Sequence, residues 1–409
     1  MRRTAALTAP SDQPEVDGVT PTIHTAESLI PIDLVVHDFK PDNGQGRYLI
    51  ELVHRLSDRC RFRVLANTFP EVAVPGAEMI PIPANRRRYL FTIPTFLFAV
   101  ERELRRGPGQ RALVHAQGFS CWGADMATVH ICNAARWRTL PPAERHGRRF
   151  ARIISPVERA FYSQRRLRHL ITMSHRLQQE VASHYGWRRP VTVIPHGTDG
   201  ALFRPPESDE ERRTLRRHLG VPDHAWLWLF MGEAVKGLDV TLAALPEFPE
   251  ARLVVISRSD SERYRRRAEE LGVADRLIFK GFDAQPERVH RVADVFAYPT
   301  QYESFGMVVA EAMASGVPVV VGREAGVAEL IEDGVNGLLV SPDDVGAMVS
   351  RMRILASDRE RGREMGRAAR KTILRHSWDA CAEATYAVYH QVWGEIARAR
   401  SASASKTVR

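Results

Sequence analysis

Residues 299–342 read PTQYESFGMVVAEAMASGVPVVVGREAGVAELIEDGVNGLLVSP. The apolar run Val295 to Pro299 leads in as a buried strand, a polar loop carrying Glu303 follows, and Ser304 and Gly306 open a short helix that carries Glu311. Gly316 and Pro318 end that helix, and a second apolar run resumes as a strand. The unit is strand, loop, helix, strand, and ligands of such units gather at the carboxyl ends of the strands. Glu303 falls in the loop at the helix mouth. Glu311 lies farther in, and a rise of about 1.5 Å per residue puts it a turn or more away. The two carboxylates are expected to serve different parts of one ligand. By themselves they also admit a glycosidase pair, which needs carboxyl groups about 5 to 9.5 Å apart across one bond, or ordinary helix charges.

Outward from this unit, strands alternate with helices. Apolar runs recur at Trp226–Met231, Arg252–Ser257 and Arg276–Lys280, and earlier at Ile32–Phe39, Phe62–Ala66, Ala112–Ala116, Ala127–Ile131, Leu170–Met173 and Val191–Ile194. Such alternation predicts parallel sheets covered by helices. The Gly-, Pro- and acid-rich stretch HGTDGALFRPPESDEE, starting at His196, breaks the pattern and marks a hinge. The expected fold is therefore α/β, with two doubly wound Rossmann-like domains over 31–196 and 197–376. Residues 1–30 read as a disordered segment, 377–399 as a C-terminal helix returning toward the first domain, and 400–409 as a flexible tail. A length of 409 residues suits two domains.

Cys60, Cys121, Cys132 and Cys381 lack CxxC spacing and His partners, which argues against a zinc site or a disulfide framework and for a reduced compartment. The N-terminus MRRTAALTAPSDQPEVDG turns polar before any apolar core, so no signal peptide is expected. Leu90 to Val100 is too short and interrupted to span a bilayer. These features predict a cytoplasmic protein, peripheral at most on the inner face of the membrane.

The net charge of +9 is carried almost wholly by Arg, since Lys occurs only at Lys40, Lys236, Lys280, Lys371 and Lys406. Ala134 to Pro190 holds thirteen Arg, three Glu and no Asp or Lys, a local balance of +10 that accounts for the whole. Residues 134–190 could meet an anionic membrane or a phosphorylated acceptor, or form the solvated faces of ordinary helices such as Pro156–Leu170. No finger, basic helix-turn-helix or aromatic-basic sheet pattern accompanies the charge, and no nucleic-acid partner is expected.

Three further places carry chemistry. The turn Gly44-Gln45-Gly46 precedes a helix and lets backbone approach an anion at its N-terminus, although a purely structural turn reads equally well. Met231-Gly232-Glu233-Ala234-Val235-Lys236-Gly237 follows a strand and opens a helix, where the Lys236 ammonium can hold a diphosphate as a point charge. His130 closes one strand and His115 lies in the strand before it. Either can face a cleft as a hydrogen-bonding or acid-base group, and His130 is the better candidate.

Glu303 and Glu311, with seven residues between them in YESFGMVVAEAMASGVPVV, resemble the E-x7-E pair of retaining glycosyltransferases of family 4, which have the GT-B fold of two facing Rossmann-like domains. The likeness continues through Ala325-Gly326, Glu329 and EDGVNGLLV from Glu332, and upstream through VIPHGTD from Val193, Lys236-Gly237 and RLIFKGF from Arg276. It is specific over residues 170–342 and weaker before them. The resemblance implies a nucleotide-sugar donor and a hexose moved to a glycan, lipid-linked or small-molecule acceptor, with no cofactor and no metal. It assigns Glu303, Ser304 and the N-H groups of Phe305, Gly306 and Met307 to the sugar and diphosphate, Glu311 to the ribose, and Lys236 and Gly44 to the diphosphate. Lys280, Gly281 and Phe282 would face the base, and His130 the acceptor.

One departure stands out. Relatives often carry an Arg after the glycine matching Gly232, and this chain has Glu233, an acid that should repel a diphosphate. Either Glu233 points away and Arg258 supplies the missing charge, the favoured reading, or donor binding is weak. A sugar-nucleotide epimerase of the same fold and a catalytically weak binding partner stay open beside the transferase.

Overall fold

The computed structural model describes residues 29–85, 89–106, 112–139, 145–281 and 285–407. The first half runs β1 (Ile30–Val35), α1 (Gly44–Leu56), β2 (Cys60–Ala66), β3 (Ala77–Pro81), α2 (Tyr89–Arg106), β4 (Leu113–Gln117), β5 (Met126–Val129), α3 (Asn133–Thr139), α4 (Arg145–Tyr162), β6 (His169–Thr172), α5 (His175–Tyr185) and β7 (Val191–Val193). Its strands form one parallel sheet in the order β3-β2-β1-β4-β5-β6-β7.

The second half runs α6 (Asp209–Leu219), β8 (Trp226–Met231), α7 (Leu238–Ala244), β9 (Ala251–Ile256), α8 (Glu262–Glu270), β10 (Leu277–Lys280), α9 (Pro286–His290), β11 (Val295–Tyr298), α10 (Met307–Ala314), β12 (Val319–Gly322), β13 (Leu338–Val340), α11 (Val345–Ser357), α12 (Arg359–Ile373) and α13 (Trp378–Thr407). Its parallel sheet has the order β10-β9-β8-β11-β12-β13. Every residue of β8, WLWLFM, is buried, as is every residue of β11 and β12. Sheets covered on both faces need such unbroken apolar runs. The fold is two doubly wound Rossmann-like domains facing across a cleft.

Strand order reverses between β1 and β4 and again between β8 and β11, and the crevices outside those carboxyl ends are where such sheets bind ligands. Local sequence shapes both mouths. Before α1, the Asn43 side chain accepts from the Gly46 N-H at 2.8 Å, and a Cβ on Gly46 would collide with the Lys40 backbone, so only glycine lets the turn close. Before α10, Gly306 takes φ 103°, a left-handed value that turns the Glu303 loop into the helix.

The second domain is tied to the first by α13. Trp378, Cys381, Ala382, Tyr389, Val392 and Ile396 share one buried core with Leu49, Leu52 and Val53 of α1 and with Ile32 and Leu34 of β1. The two chain crossings lie side by side, with the Thr198 N-H donating to the His376 carbonyl at 2.9 Å.

Three details differ from expectation. The helix runs past residue 399 to Thr407, through an alanine- and serine-rich stretch with no Gly or Pro to stop it. Ile30 already belongs to β1, whereas the reading of residues 1–28 as disordered lies outside the described residues. β3 was not expected, because AEMIP is a half-exposed edge strand ending in proline and shows no apolar run.

The cleft is bridged by polar contacts. The Tyr302 hydroxyl accepts from the Cys132 N-H at 3.0 Å and donates to Glu180 at 2.9 Å, while the Ser304 hydroxyl donates to the His130 carbonyl. Glu329 caps α5 from the opposite domain, accepting from the His175 and Arg176 N-H groups at 2.9 and 2.7 Å.

Candidate active site

Lys236 lies in the single tight turn after β8, and its ammonium donates to Glu303 Oε2 at 2.5 Å. Tyr298, the last residue of β11, donates its hydroxyl to the same oxygen at 3.0 Å. The Glu303 loop is pinned from the other side, since the Gly326 N-H donates to the Glu303 carbonyl at 2.9 Å. Burial presses the Glu303 carboxyl upward, but the Lys236 charge and hydrogen bonds from Lys236, Tyr298 and the Phe305 N-H reverse this and leave it below its ordinary value. Burial likewise presses Lys236 down, and Glu303 more than restores it. Both stay ionised at neutral pH. An ammonium has three N-H donors, so Lys236 can serve Glu303 and a phosphate together.

Glu311 projects from the middle of α10 and is only 5% exposed. Arg47, on α1 of the opposite domain, donates to its Oε1 at 2.6 Å, and His290 Nε2 lies 3.9 Å from its Oε2. Burial raises the Glu311 carboxyl above its usual range and Arg47 counters part of that rise. His290, held down to about 3 by burial, is neutral. The carboxylate keeps lone pairs beyond the one Arg47 uses, enough to accept from vicinal hydroxyls.

His130 follows β5 directly. Its ring stacks on His196 with centroids 5.9 Å apart, and His196 meets Phe305 edge-on at 5.6 Å. Burial, helped by His196 and His115, holds His130 well below the usual imidazole range, so it is neutral. His115 does not line the cleft: it is fully buried, with Nδ1 at 2.8 Å from the Tyr389 hydroxyl and Nε2 at 2.8 Å from that of Thr128.

The remaining expected ligands divide. Gly44 stands beside the first residue of α10, where a Cβ would lie 3.6 Å from Met307 Sδ. Gly306 and Met307 present N-H groups of the first turn of α10, which have no acceptor within the helix. The Phe305 N-H is taken by Glu303, and Ser304 spends its hydroxyl on the His130 carbonyl and its carbonyl on Ser174, so Ser304 fastens the domains together. Lys280 and Gly281 stand at the carboxyl end of β10, two strands out from β8, and the Lys280 carbonyl accepts from the Ser257 N-H at 3.2 Å. Phe282 lies outside the described residues.

Arg258 reaches across to Asp42 at 3.2 Å, beside the Gly44 turn. Glu233 is exposed, yet its charge is felt at Lys236 and Tyr298. Arg136 on α3 acts on Lys236 with the opposite sign. Arg47, Tyr298, His196 and Arg136 were not singled out from sequence. Tyr298, a hydroxyl ending the strand before Glu303, and His196, inside the VIPHGTD stretch, left readable signals.

Residues 42–201 match the family model described as Glycosyltransferase Family 4, and residues 211–372 match that described as Glycosyl transferases group 1. The two halves carry a family 4 and a group 1 glycosyltransferase domain on the GT-B fold. This glycosyltransferase is 37% identical over 214 residues to a D-inositol 3-phosphate glycosyltransferase of Xylanimonas cellulosilytica, a match covering 49% of this chain and 51% of that protein. It is 34% identical over 232 residues to an uncharacterized glycosyltransferase of Methanocaldococcus jannaschii, covering 54% and 59%. The match thus spans only about half the length of these curated relatives.

Among solved structures, the glycosyltransferase is similar to sucrose-phosphate synthase from Thermosynechococcus elongatus, with a TM-score of 0.75 and 22% identity over 90% of this chain and 100% of that one. It is also similar to HepE of Anabaena in complex with UDP and glucose, with a TM-score of 0.70 and 19% identity over 88% of this chain and 100% of that one. These likenesses bear on the fold.

Proposed function

We propose that this glycosyltransferase moves a hexose from a nucleotide sugar to a glycan, lipid-linked or small-molecule acceptor with retention of anomeric configuration. The observation that carries the reading is the Lys236–Glu303 ion pair at the carboxyl ends of the two switch strands, with Glu311 one helix face beyond and His130 opposite. Lys236 and the first-turn N-H groups of α10 stabilise charge developing on the departing diphosphate, a preorganised role that calls for no metal. Glu303 holds the sugar and Glu311 accepts from the ribose hydroxyls. The departing phosphate oxygen takes the acceptor's proton, so no side-chain general base is required. Arg258 and Arg136 offset the acid at Glu233.

HepE has been crystallised with UDP-glucose, which makes uridine the first base to test. A thermal-shift screen against UDP, GDP and ADP sugars should single out one donor, because ligand at a hundred times its Kd stabilises by about 2.7 kcal/mol. Nucleotide release with an acceptor panel, and a product retaining its anomeric configuration, would complete the test. An isomerised sugar nucleotide would establish an epimerase, and binding without turnover a partner protein.

Arg47 gives a pH prediction. Glu311 binds ribose as the carboxylate, so nucleotide affinity should fall as pH drops through its raised pKa. In Arg47→Met the counter-charge is gone, burial and the Glu287 charge act unopposed, and the fall should move to higher pH. Calorimetric titration of the nucleotide between about pH 5 and about pH 8, on the raised side of the ordinary carboxylate range, checks this. Unchanged pH dependence would contradict it.

The basic segment supports peripheral contact with an anionic membrane. On α4, Arg149, Arg152 and Ile153 are exposed together, although Arg166, Arg176 and Arg189 elsewhere in 134–190 are engaged within the fold. The side chains of Arg145 and Arg148 lie outside the described residues. No helix among the described residues is long and apolar enough to cross a membrane. Binding to vesicles containing phosphatidylserine should weaken with salt and drop about fivefold to tenfold per charge when Arg149 and Arg152 become Gln. Binding indifferent to both would leave only solvated helix faces.

A further inference from the structure

Behind His130 runs a chain of buried hydrogen bonds that ends on the C-terminal helix. His130 Nε2 lies 2.7 Å from Gln117 Oε1, and Gln117 Nε2 lies 3.2 Å from His115 Nε2. His115 Nε2 is also 2.8 Å from Thr128 Oγ1, and its Nδ1 is 2.8 Å from the Tyr389 hydroxyl. We infer that Gln117, oriented by His115 and Tyr389, holds His130 as the tautomer protonated on Nε2, so that the ring meets its substrate through Nδ1 as a hydrogen-bond acceptor. The consequence for substrate rests on the transferase reading above, and the tautomer does not.

The order of protons follows from what each atom can do. His115 is fully buried, and burial holds it near 3, so it is neutral, with one N-H and one lone pair. Its Nε2 faces the amide nitrogen of Gln117, which can only donate, so Nε2 accepts and Nδ1 carries the proton toward Tyr389. That turns the Gln117 carbonyl oxygen to His130, and an oxygen that only accepts requires a proton on His130 Nε2. The contact lengths agree: the shorter one lies at the amide oxygen and the longer at the amide nitrogen. A reversed amide would force a nitrogen–nitrogen contact of 2.7 Å, tighter than such a bond normally allows.

A ring turned over would set a carbon against the Gln117 oxygen and forfeit this hydrogen bond. His196 stacks on one face, Tyr48 meets it edge-on at 5.9 Å, and Ser304 pins its backbone carbonyl. The nearby charges are Glu303 and Arg47, which act on His196 with opposite signs. His115 and Gln117 are thus positioning residues, and Tyr389 of α13 sets a proton in a site built from other elements.

Histidine-selective 15N labelling of the full chain tests this without any assay of transfer, since two-bond proton–nitrogen correlations separate Nδ1-H from Nε2-H rings, with His130→Asn for assignment. The wild type should show His130 as Nε2-H and His115 as Nδ1-H. Gln117→Leu should give a mixed His130 tautomer and lower kcat about tenfold, the worth of one hydrogen bond, at little change in donor KM. Gln117→Glu keeps the accepting oxygen, so His130 should stay Nε2-H and titrate at higher pH; this variant carries the test if Gln117→Leu does not fold. A wild-type His130 protonated on Nδ1, or one unaltered in Gln117→Leu, would overturn the inference. Failure of the wild type to transfer sugar would count against the proposed function and leave the spectra as they are.

Discussion

Replacing Glu303 with alanine should lower turnover by about a hundredfold while nucleotide affinity changes little, because the loss is one of sugar placement, and misplacing reacting atoms by about 1 Å costs on the order of that factor. The Glu303 carboxylate receives Lys236, Tyr298 and the Phe305 N-H, an arrangement that fixes its position more firmly than a surface acid needs. A second effect follows from the pair. In the wild type Glu303 keeps Lys236 protonated beyond its ordinary range, so turnover should not vary with this group near neutrality. In Glu303→Gln the main counter-charge is gone, and burial, the largest influence, outweighs what Glu233 gives back, which lowers the Lys236 pKa. Turnover should then decline on the alkaline side, where wild type does not, a difference that kcat measured against pH reveals. Full activity in Glu303→Ala would remove the site from consideration.

Lys236→Ala should damage both binding and transfer, each by about 1.5 to 3 kcal/mol, or roughly ten- to a hundredfold. The ammonium meets a phosphate in the ground state and meets more charge as the diphosphate leaves, so neither step escapes. Its removal also strands Glu303, only 16% exposed, beside Tyr298 and the Phe305 N-H, and burial then pushes that carboxyl up. The double variant Lys236→Ala, Glu303→Ala should therefore lose less than the sum of the single losses. Calorimetry with the nucleoside diphosphate and initial rates of transfer give the two numbers separately. An affinity unaffected by Lys236→Ala would place the diphosphate elsewhere.

What sequence made legible here is what lies close along the chain. Glu303, Glu311 and the α10 turn fall within nine residues, and Lys236 ends its own strand-turn unit, so periodicity and glycine placement locate them. Arg47 is 264 positions from Glu311, and Tyr302 is 170 from Cys132. Such contacts arise only when two separately folded sheets face each other, and no local pattern encodes them. The same limit explains His115. From sequence it looked like a second cleft histidine, but β4 is central and α13 covers it, so the ring is sealed against Tyr389. Ser304 shows the same limit: the resemblance assigned it to the donor, and its hydroxyl meets the His130 carbonyl of the other domain, a contact no local pattern encodes.

The most direct test is a crystal structure of the chain with the nucleoside diphosphate that the donor screen selects. The ribose hydroxyls should lie within about 3 Å of the Glu311 carboxylate and a phosphate oxygen within about 3 Å of Lys236 Nζ, ordinary hydrogen-bond lengths. A nucleotide bound away from Lys236 and Glu311, or turned so that its base lies at Glu303, would contradict the account.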